Sequence, residues 1–283
     1  MGTGTQTYDI IKVGNDDVHY LQDDIAVEEP LEIRITQRKD DLHINQNITV
    51  TMRTPGYDFE LAAGFLLSEG LVRERADIKN IDYCLNPGAT HRQNTVFVEL
   101  SERVSFDPAK FRRYVYTNSS CGICGRQSLE MVQKNCTCIP VGDFQITHDY
   151  LIRLLTALDN SQTIFAKTGG VHASALFDKK GECLIIREDV GRHNALDKVV
   201  GAMLLADKLP ATNTVLLLSG RISFELVQKA VLAGIPIIAA IGAPSTLAVD
   251  IAQEFGITLI GFLGKQRFNV YAGKQRVAGL YVG

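Results

Sequence analysis

Leu31, Ile33 and Ile35 alternate with Glu32 and Arg34, and Ile48, Val50 and Met52 alternate with Thr49 and Thr51. Period two is the pattern of a half-buried strand, and Thr95 to Leu100 extends it to a third. Between them, Pro55-Gly56-Tyr57-Asp58 signals a turn and a helix start, and Leu61, Phe65 and Leu66 follow at helical spacing until Gly70. These elements predict a small α+β unit over residues 1–115. From residue 148 the pattern changes. A helix over 149–158 leads to strands over 171–177 and 183–186, joined by Asp178-Lys179-Lys180-Gly181. Helices over 194–209, 224–233 and 246–255 then alternate with short, continuously apolar strands over 214–218, 236–241 and 257–262. Such alternation predicts a mostly parallel sheet over 148–283 with helices on both faces. Its ligand-binding loops should lie along one edge, at the strand C-termini. Residues 116–147 fit neither half and read as a flexible loop, rich in small polar residues.

Composition narrows the function. Of the 283 residues, 46% are hydrophobic and 22% charged, which suits a globular core. A net charge of -3 and the absence of Trp argue against a nucleic-acid stripe, a polybasic membrane patch or a base-stacking platform. No segment reaches the roughly 20 apolar residues of a membrane helix. The Gly- and Thr-rich first eight residues lack the regions of a secretory signal. The expected setting is the cytoplasm, without nucleic-acid or membrane partners, where six cysteines are reduced thiols rather than a disulfide framework.

Four of those cysteines fall in the central loop. Cys121-Gly122-Ile123-Cys124-Gly125 is flanked by Ser119, Ser120 and Arg126. Exposure and a nearby cation favour thiolate, the nucleophilic form, so Cys121 is a candidate for attack on a persulfide or disulfide sulfur. Three readings compete. Cys121 and Cys124 could join Cys136 and Cys138 in a zinc site, although Cys136-Thr137-Cys138 is tighter than the usual spacing. They could form a thioredoxin-type dithiol, which wants a preceding strand. They could also be inert, as Cys84 and Cys183 are expected to be as buried small hydrophobes.

The C-terminal half offers a binding edge. Thr168-Gly169-Gly170-Val171-His172 precedes a strand, where glycines permit close ligand approach and His172 could contact a ligand or simply be a satisfied core histidine. Arg187-Glu188-Asp189-Val190-Gly191-Arg192-His193-Asn194 follows another strand, as a site or as a solvated loop. Ser219-Gly220-Arg221 and Gly242-Ala243-Pro244-Ser245 each join a strand to a helix and read as anion cradles for a nucleotide. Gly264-Lys265 is followed by Gln266, not Ser or Thr, so a Walker-type triphosphatase is not expected.

In order and combination, these motifs, with Ala195-Leu196-Asp197-Lys198 and Phe268-Asn269-Val270-Tyr271, resemble the FdhD/NarQ family of formate dehydrogenase accessory sulfurtransferases. The resemblance spans nearly the whole chain. It implies a cytidine-deaminase-like fold for the C-terminal domain. It also implies transfer of persulfide sulfur from a cysteine desulfurase to the molybdenum bis-guanine-dinucleotide cofactor of formate dehydrogenase, and a homodimer. Cys121 would carry the persulfide and Cys124 would resolve or tune it. His172, Arg221 and the segment Phe262-Leu263-Gly264-Lys265-Gln266-Arg267 would bind the cofactor as cargo, with no metal ligated by the protein. The family pattern has Arg two residues after the Phe, where this chain has Gly264, leaving Lys265 and Arg267 as the charges of that segment. Zinc deamination is not implied: Ser174 stands where the deaminase Glu would be, Ser120 replaces the Pro before the first cysteine, and the cysteines precede His172 in the chain.

Overall fold

The computed structural model describes residues 4–39, 42–84, 92–107 and 144–280. The readings of Cys121, Cys124, Cys136 and Cys138 lie outside these residues.

The N-terminal unit is rich in strands. β1 (Thr5–Val13) and β2 (Val18–Ala26) form an antiparallel hairpin that pairs with no third strand. β3 (Glu29–Lys39), β4 (Leu42–Arg53), β5 (Ile78–Tyr83) and β6 (Thr95–Leu100) make a four-stranded sheet in the order β4-β3-β6-β5. The alternation read in the sequence is the cause of its sidedness. Leu31, Ile33 and Ile35 on β3 and Val96, Val98 and Leu100 on β6 are all buried, and pack with α1 (Asp58–Ser68).

The larger C-terminal unit holds α2 (His148–Ser161), α3 (Thr163–Thr168), β7 (His172–Asp178), β8 (Cys183–Asp189), α4 (Arg192–Leu205) and β9 (Thr214–Leu218). There follow α5 (Phe224–Leu232), β10 (Ile237–Ala240), α6 (Thr246–Glu254), β11 (Thr258–Gly261) and β12 (Asn269–Ala272). Its six strands lie in the order β12-β11-β10-β9-β7-β8. The expected mostly parallel sheet is instead mixed. β9, β10 and β11 pair in parallel, whereas β12 and β7 run antiparallel at the two flanks of this core and β8 runs antiparallel to β7. The reason is connection length. Between β7 and β8 the Gly181 N–H closes a turn on the Asp178 carbonyl at 3.0 Å, and so short a link permits only antiparallel pairing.

Helices do cover both faces. Ala175, Phe177, Val215, Leu217, Ile237 and Ala239 face Leu151, Leu154 and Leu158 of α2. The alternate residues Leu176, Leu216, Leu218, Ile238 and Ala240 face α4, α5 and α6, in the same continuous core as α1 and the N-terminal sheet. α1 and α4 cross at two glycines. A Cβ on Gly64 would lie 1.9 Å from the Asp197 carbonyl oxygen, and one on Gly201 would lie 1.8 Å from that of Glu60. Backbone thus touches backbone, and no larger residue fits without separating the helices.

Cys183 departs from its expected burial. It is exposed, and Cys84 is only half-buried. β8 is the sheet edge, and its first turn of chain has no neighbouring strand beyond it.

Candidate functional site

The chain order of the C-terminal sheet reverses between β7 and β9. From β7 the chain steps outward to β8, crosses back through α4 to β9, and then steps outward the other way. At such a switch point the loops on either side diverge and leave a crevice. β8 and β9 end there and β7 begins there, because His172 pairs with Asp189 and Ser174 with Leu218. The Thr168–His172 loop, the Asp189–Asn194 loop and Ser219-Gly220-Arg221 are therefore neighbours. A Cβ on Gly220 would stand 3.2 Å from His172 Nδ1, so the glycine is what lets the ring lie against the turn. Ser219 ties the two strands together, its Oγ accepting from the Ala173 N–H at 2.8 Å.

Three helices begin along this edge. The hydroxyl of Ser245 caps α6 by accepting from the Ala248 N–H. α4 begins after Gly191 and α5 after Ser223, neither with a side-chain cap hydrogen bond. Neither N-cap side chain closes its helix's first turn, and each helix brings the positive end of its dipole to the crevice, although on α5 the Glu225 carboxyl takes up its own N–H. Arg192 and Arg221 add formal charge, and Arg192 Nε is buried without a hydrogen-bond partner. The arrangement suits an anionic ligand.

Two imidazoles stand among these cations. Burial, and then the Arg192 charge, hold His172 below the usual histidine range against the pull of Asp189. Burial, Arg192 and Lys229 do the same to His193, against Glu225 and Asp197. His193 Nε2 lies 3.2 Å from Ser223 Oγ. Although burial would raise it, the Glu225 carboxyl is held below its ordinary value, first by the Ser223 hydroxyl and then by its own backbone N–H. Sequence reasoning missed this Ser223–Glu225 pair. Ser223 stands where an N-cap residue would before an apolar helix, but its side chain makes no cap hydrogen bond.

Much of the polar run from Arg187 to Asn194 is structural. Asp189 is fully buried; its carboxylate accepts from the N–H groups of Thr54 and Gly191 and from Asn194 Nδ2, and pairs with Lys198 Nζ at 2.6 Å. Lys198 also donates to the Thr54 carbonyl, and Asn194 to that of Met52. Arg187 holds Glu60 through two nitrogens and stacks 3.8 Å over the Tyr57 ring. These bonds fasten the crevice rim to the N-terminal unit.

The segment after β11 lies along the same sheet edge, bonded to the turn after β10. Phe262 is half-exposed with φ 52, and its N–H donates to the Gly242 carbonyl at 3.1 Å. Leu263 is buried in the α2-side core, so its side chain anchors the segment rather than facing a ligand. Lys265, Gln266 and Arg267 are exposed. A Cβ on Gly264 would meet nothing nearer than the Arg267 carbonyl oxygen at 3.7 Å, so the position has room for a side chain it does not carry. Among the described residues no cluster of three or more His, Cys, Asp or Glu could hold a metal ion, and no helix is long and apolar enough to cross a membrane.

The FdhD/NarQ family model matches residues 26–278. The sulfur carrier protein FdhD of Streptomyces coelicolor is 47% identical over 285 residues, covering 98% of this chain and 97% of that protein. That of Saccharolobus solfataricus is 40% identical over 277 residues, covering 98% and 100%. A crystal structure described as a formate dehydrogenase accessory protein, from Desulfotalea psychrophila, superposes with a TM-score of 0.74 over 97% of this chain and 100% of that one, at 23% identity. That likeness establishes a shared fold. With its family model matched from the end of β2 to beyond β12 and relatives this similar along their whole length, the chain belongs to the FdhD/NarQ family.

Proposed function

We propose that this chain is a cytoplasmic sulfur carrier that takes sulfane sulfur from a cysteine desulfurase onto Cys121 and delivers it to the molybdenum bis-guanine-dinucleotide cofactor required by formate dehydrogenase. The observation that carries the acceptor half is the switch-point crevice, with two helix N-termini whose N-cap residues make no side-chain cap, Arg192, Arg221 and imidazoles held below the usual histidine range, a setting suited to the phosphates of a guanine dinucleotide. The carrier half rests on the family, on the relatives named as sulfur carriers, and on the thiolate chemistry of the Cys121 loop. On this reading the chain is organised as 1–115, a cysteine-bearing linker over 116–147, and a cytidine-deaminase-like domain over 148–283. It acts as a homodimer, two copies suiting a cofactor with two nucleotide ends.

The chemistry proceeds in two transfers. The Cys121 thiolate attacks the outer sulfur of the donor persulfide; the donor sulfur–sulfur bond breaks, the donor leaves as a thiolate, and Cys121 becomes the persulfide. For delivery, the Cys124 thiolate attacks the Cys121 sulfur. This forms the Cys121–Cys124 disulfide and releases the terminal sulfur as hydrosulfide to the acceptor. Two thiols are oxidised, one sulfane sulfur is reduced, and a cellular dithiol resets the pair. Alternatively Cys124 only tunes the Cys121 pKa. The cofactor is the substrate that receives sulfur. Residues of this chain hold it by its ends: Arg221, His172 and the Phe262–Arg267 segment, with Lys265 and Arg267 supplying the charge that Gly264 does not.

Mass spectrometry after incubation with a desulfurase and cysteine tests the reading. The expected product carries one added sulfur on Cys121 and none in Cys121→Ala. Formate dehydrogenase fully sulfurated by Cys121→Ala, with no adduct on Cys121 in the parent, would sink it. A cofactor chaperone whose cysteines are spectators predicts that second result.

A further inference from the structure

The β1–β2 hairpin has no role in the crevice, yet it carries features that call for a partner. Among the described residues it forms a sheet of its own, with the outer edges of both nine-residue strands unpaired, and a lone two-stranded hairpin is marginal in water. Val13 lies opposite Val18 and Ile11 opposite Tyr20, so the four share one face near the tip. They are 71%, 57%, 57% and 82% exposed. Tyr8, Leu21 and Ile25 are exposed on the opposite face, so the patch is the four residues at the tip. A contiguous patch of this kind marks an interaction surface.

The charge of the hairpin is one-sided. Residues 4–26 contain Asp9, Asp16, Asp17, Asp23 and Asp24 against Lys12, a net charge of -4, where the whole chain carries -3. Three of them bond within the hairpin, Asp9 to Gln22, Asp24 to Thr7 and Asp17 to His19. The root of the hairpin adjoins the crevice. Gly4 packs on Ile164 and Thr54, and Ala26 lies beside Gly170 in the loop that carries His172.

We infer that the hairpin is the docking surface for the protein that donates sulfur, and that the donor meets it with an apolar patch ringed by Lys and Arg. The inference rests on the sulfur-carrier reading. Transfer from a persulfide is direct attack on a sulfur held by another protein, so the donor must dock as a protein, whereas the acceptor is a small molecule that enters the crevice by itself. A second copy of this chain is the poorer occupant, because it would set -4 against -4 along strands about 30 Å long.

The test uses the full-length protein, Asp16→Lys/Asp23→Lys and Ile11→Ser/Tyr20→Ser, all at exposed hairpin positions and each checked for unchanged thermal unfolding. Binding to a purified cysteine desulfurase is measured at low and high salt. Sulfur loading is followed by mass spectrometry, from desulfurase plus cysteine and from inorganic polysulfide. Both variants should bind the desulfurase about tenfold more weakly, with a flatter salt dependence for the lysine variant. Both should load slowly from the desulfurase but at the parent rate from polysulfide. Binding and loading equal to the parent's overturn the docking surface and leave the carrier reading standing. A parent that loads from polysulfide but not from desulfurase also overturns it, and a parent that loads from neither removes both. A parent dimer that the variants lose in sedimentation, with desulfurase binding intact, assigns the hairpin to a second copy and overturns the inference as well.

Discussion

His172 and His193 show how far a residue's behaviour depends on neighbours that its sequence context hides. Each was readable as a histidine beside a glycine-rich or charged run. Neither the burial nor Arg192's position between them was, since β7, β8 and α4 converge only in the folded chain. Their depressed folded values have a pH consequence. In the unfolded chain both rings take up protons as the pH falls below about 6.5, while the folded protein resists. The unfolded state then binds more protons, so stability present above that pH is lost as the pH falls from 6.5 toward the lowered folded values. Denaturant titrations across pH 5 to 7 should show this slope in the parent and a shallower one in His172→Gln/His193→Gln. An unchanged slope would contradict the lowered values. Lys198 and Asp197 were equally opaque. Both are buried on α4, because their partners Thr54 and Ser68 come from more than a hundred residues earlier.

At the scale of elements, the strands with one buried face were legible and the others were not. β3, β6 and β9 to β11 declared themselves through alternation or short apolar runs. The β1–β2 hairpin did not. Apolar and acidic residues share both of its faces, so no period-two pattern separates inside from outside. β12 also escaped notice, its four residues being mostly exposed or half-buried on the sheet edge. Helix packing was the least visible of all, since a glycine within a helical run usually reads as a weakness. At the α1–α4 crossing Gly64 is instead a requirement. Gly64→Ala should raise intrinsic helix propensity and still destabilise the fold by about 1–3 kcal/mol, because the methyl would meet the Asp197 carbonyl. A thermal melt at or above the parent's would show that the crossing relaxes freely.

Over the whole molecule, the two units share one core; the partly buried pair of Arg187 with Glu60 crosses between them, and the buried pair of Lys229 with Asp197 lies along their joint. Residues 148–283 read as a separable domain in sequence, because their strand–helix alternation is self-sufficient. What the pattern could not reveal is that α4, apolar over much of its surface, needs α1 and the N-terminal sheet to cover it. Expressed alone, 148–283 should expose that face and aggregate. The full chain should unfold in one transition seen alike by calorimetry and circular dichroism. Two resolved transitions would count against a shared core.

The glycine crossing also bears on how a carrier of this build can work. Two helices held backbone to backbone have no soft layer between them on which to slide or rock. At this crossing the two halves are locked backbone to backbone, so closing the crevice by sliding α1 over α4 would be costly. The cadence of hand-over is then set by how long each client stays and by the chemistry itself. Raising solvent viscosity should slow the arrival of clients and leave the transfer step untouched.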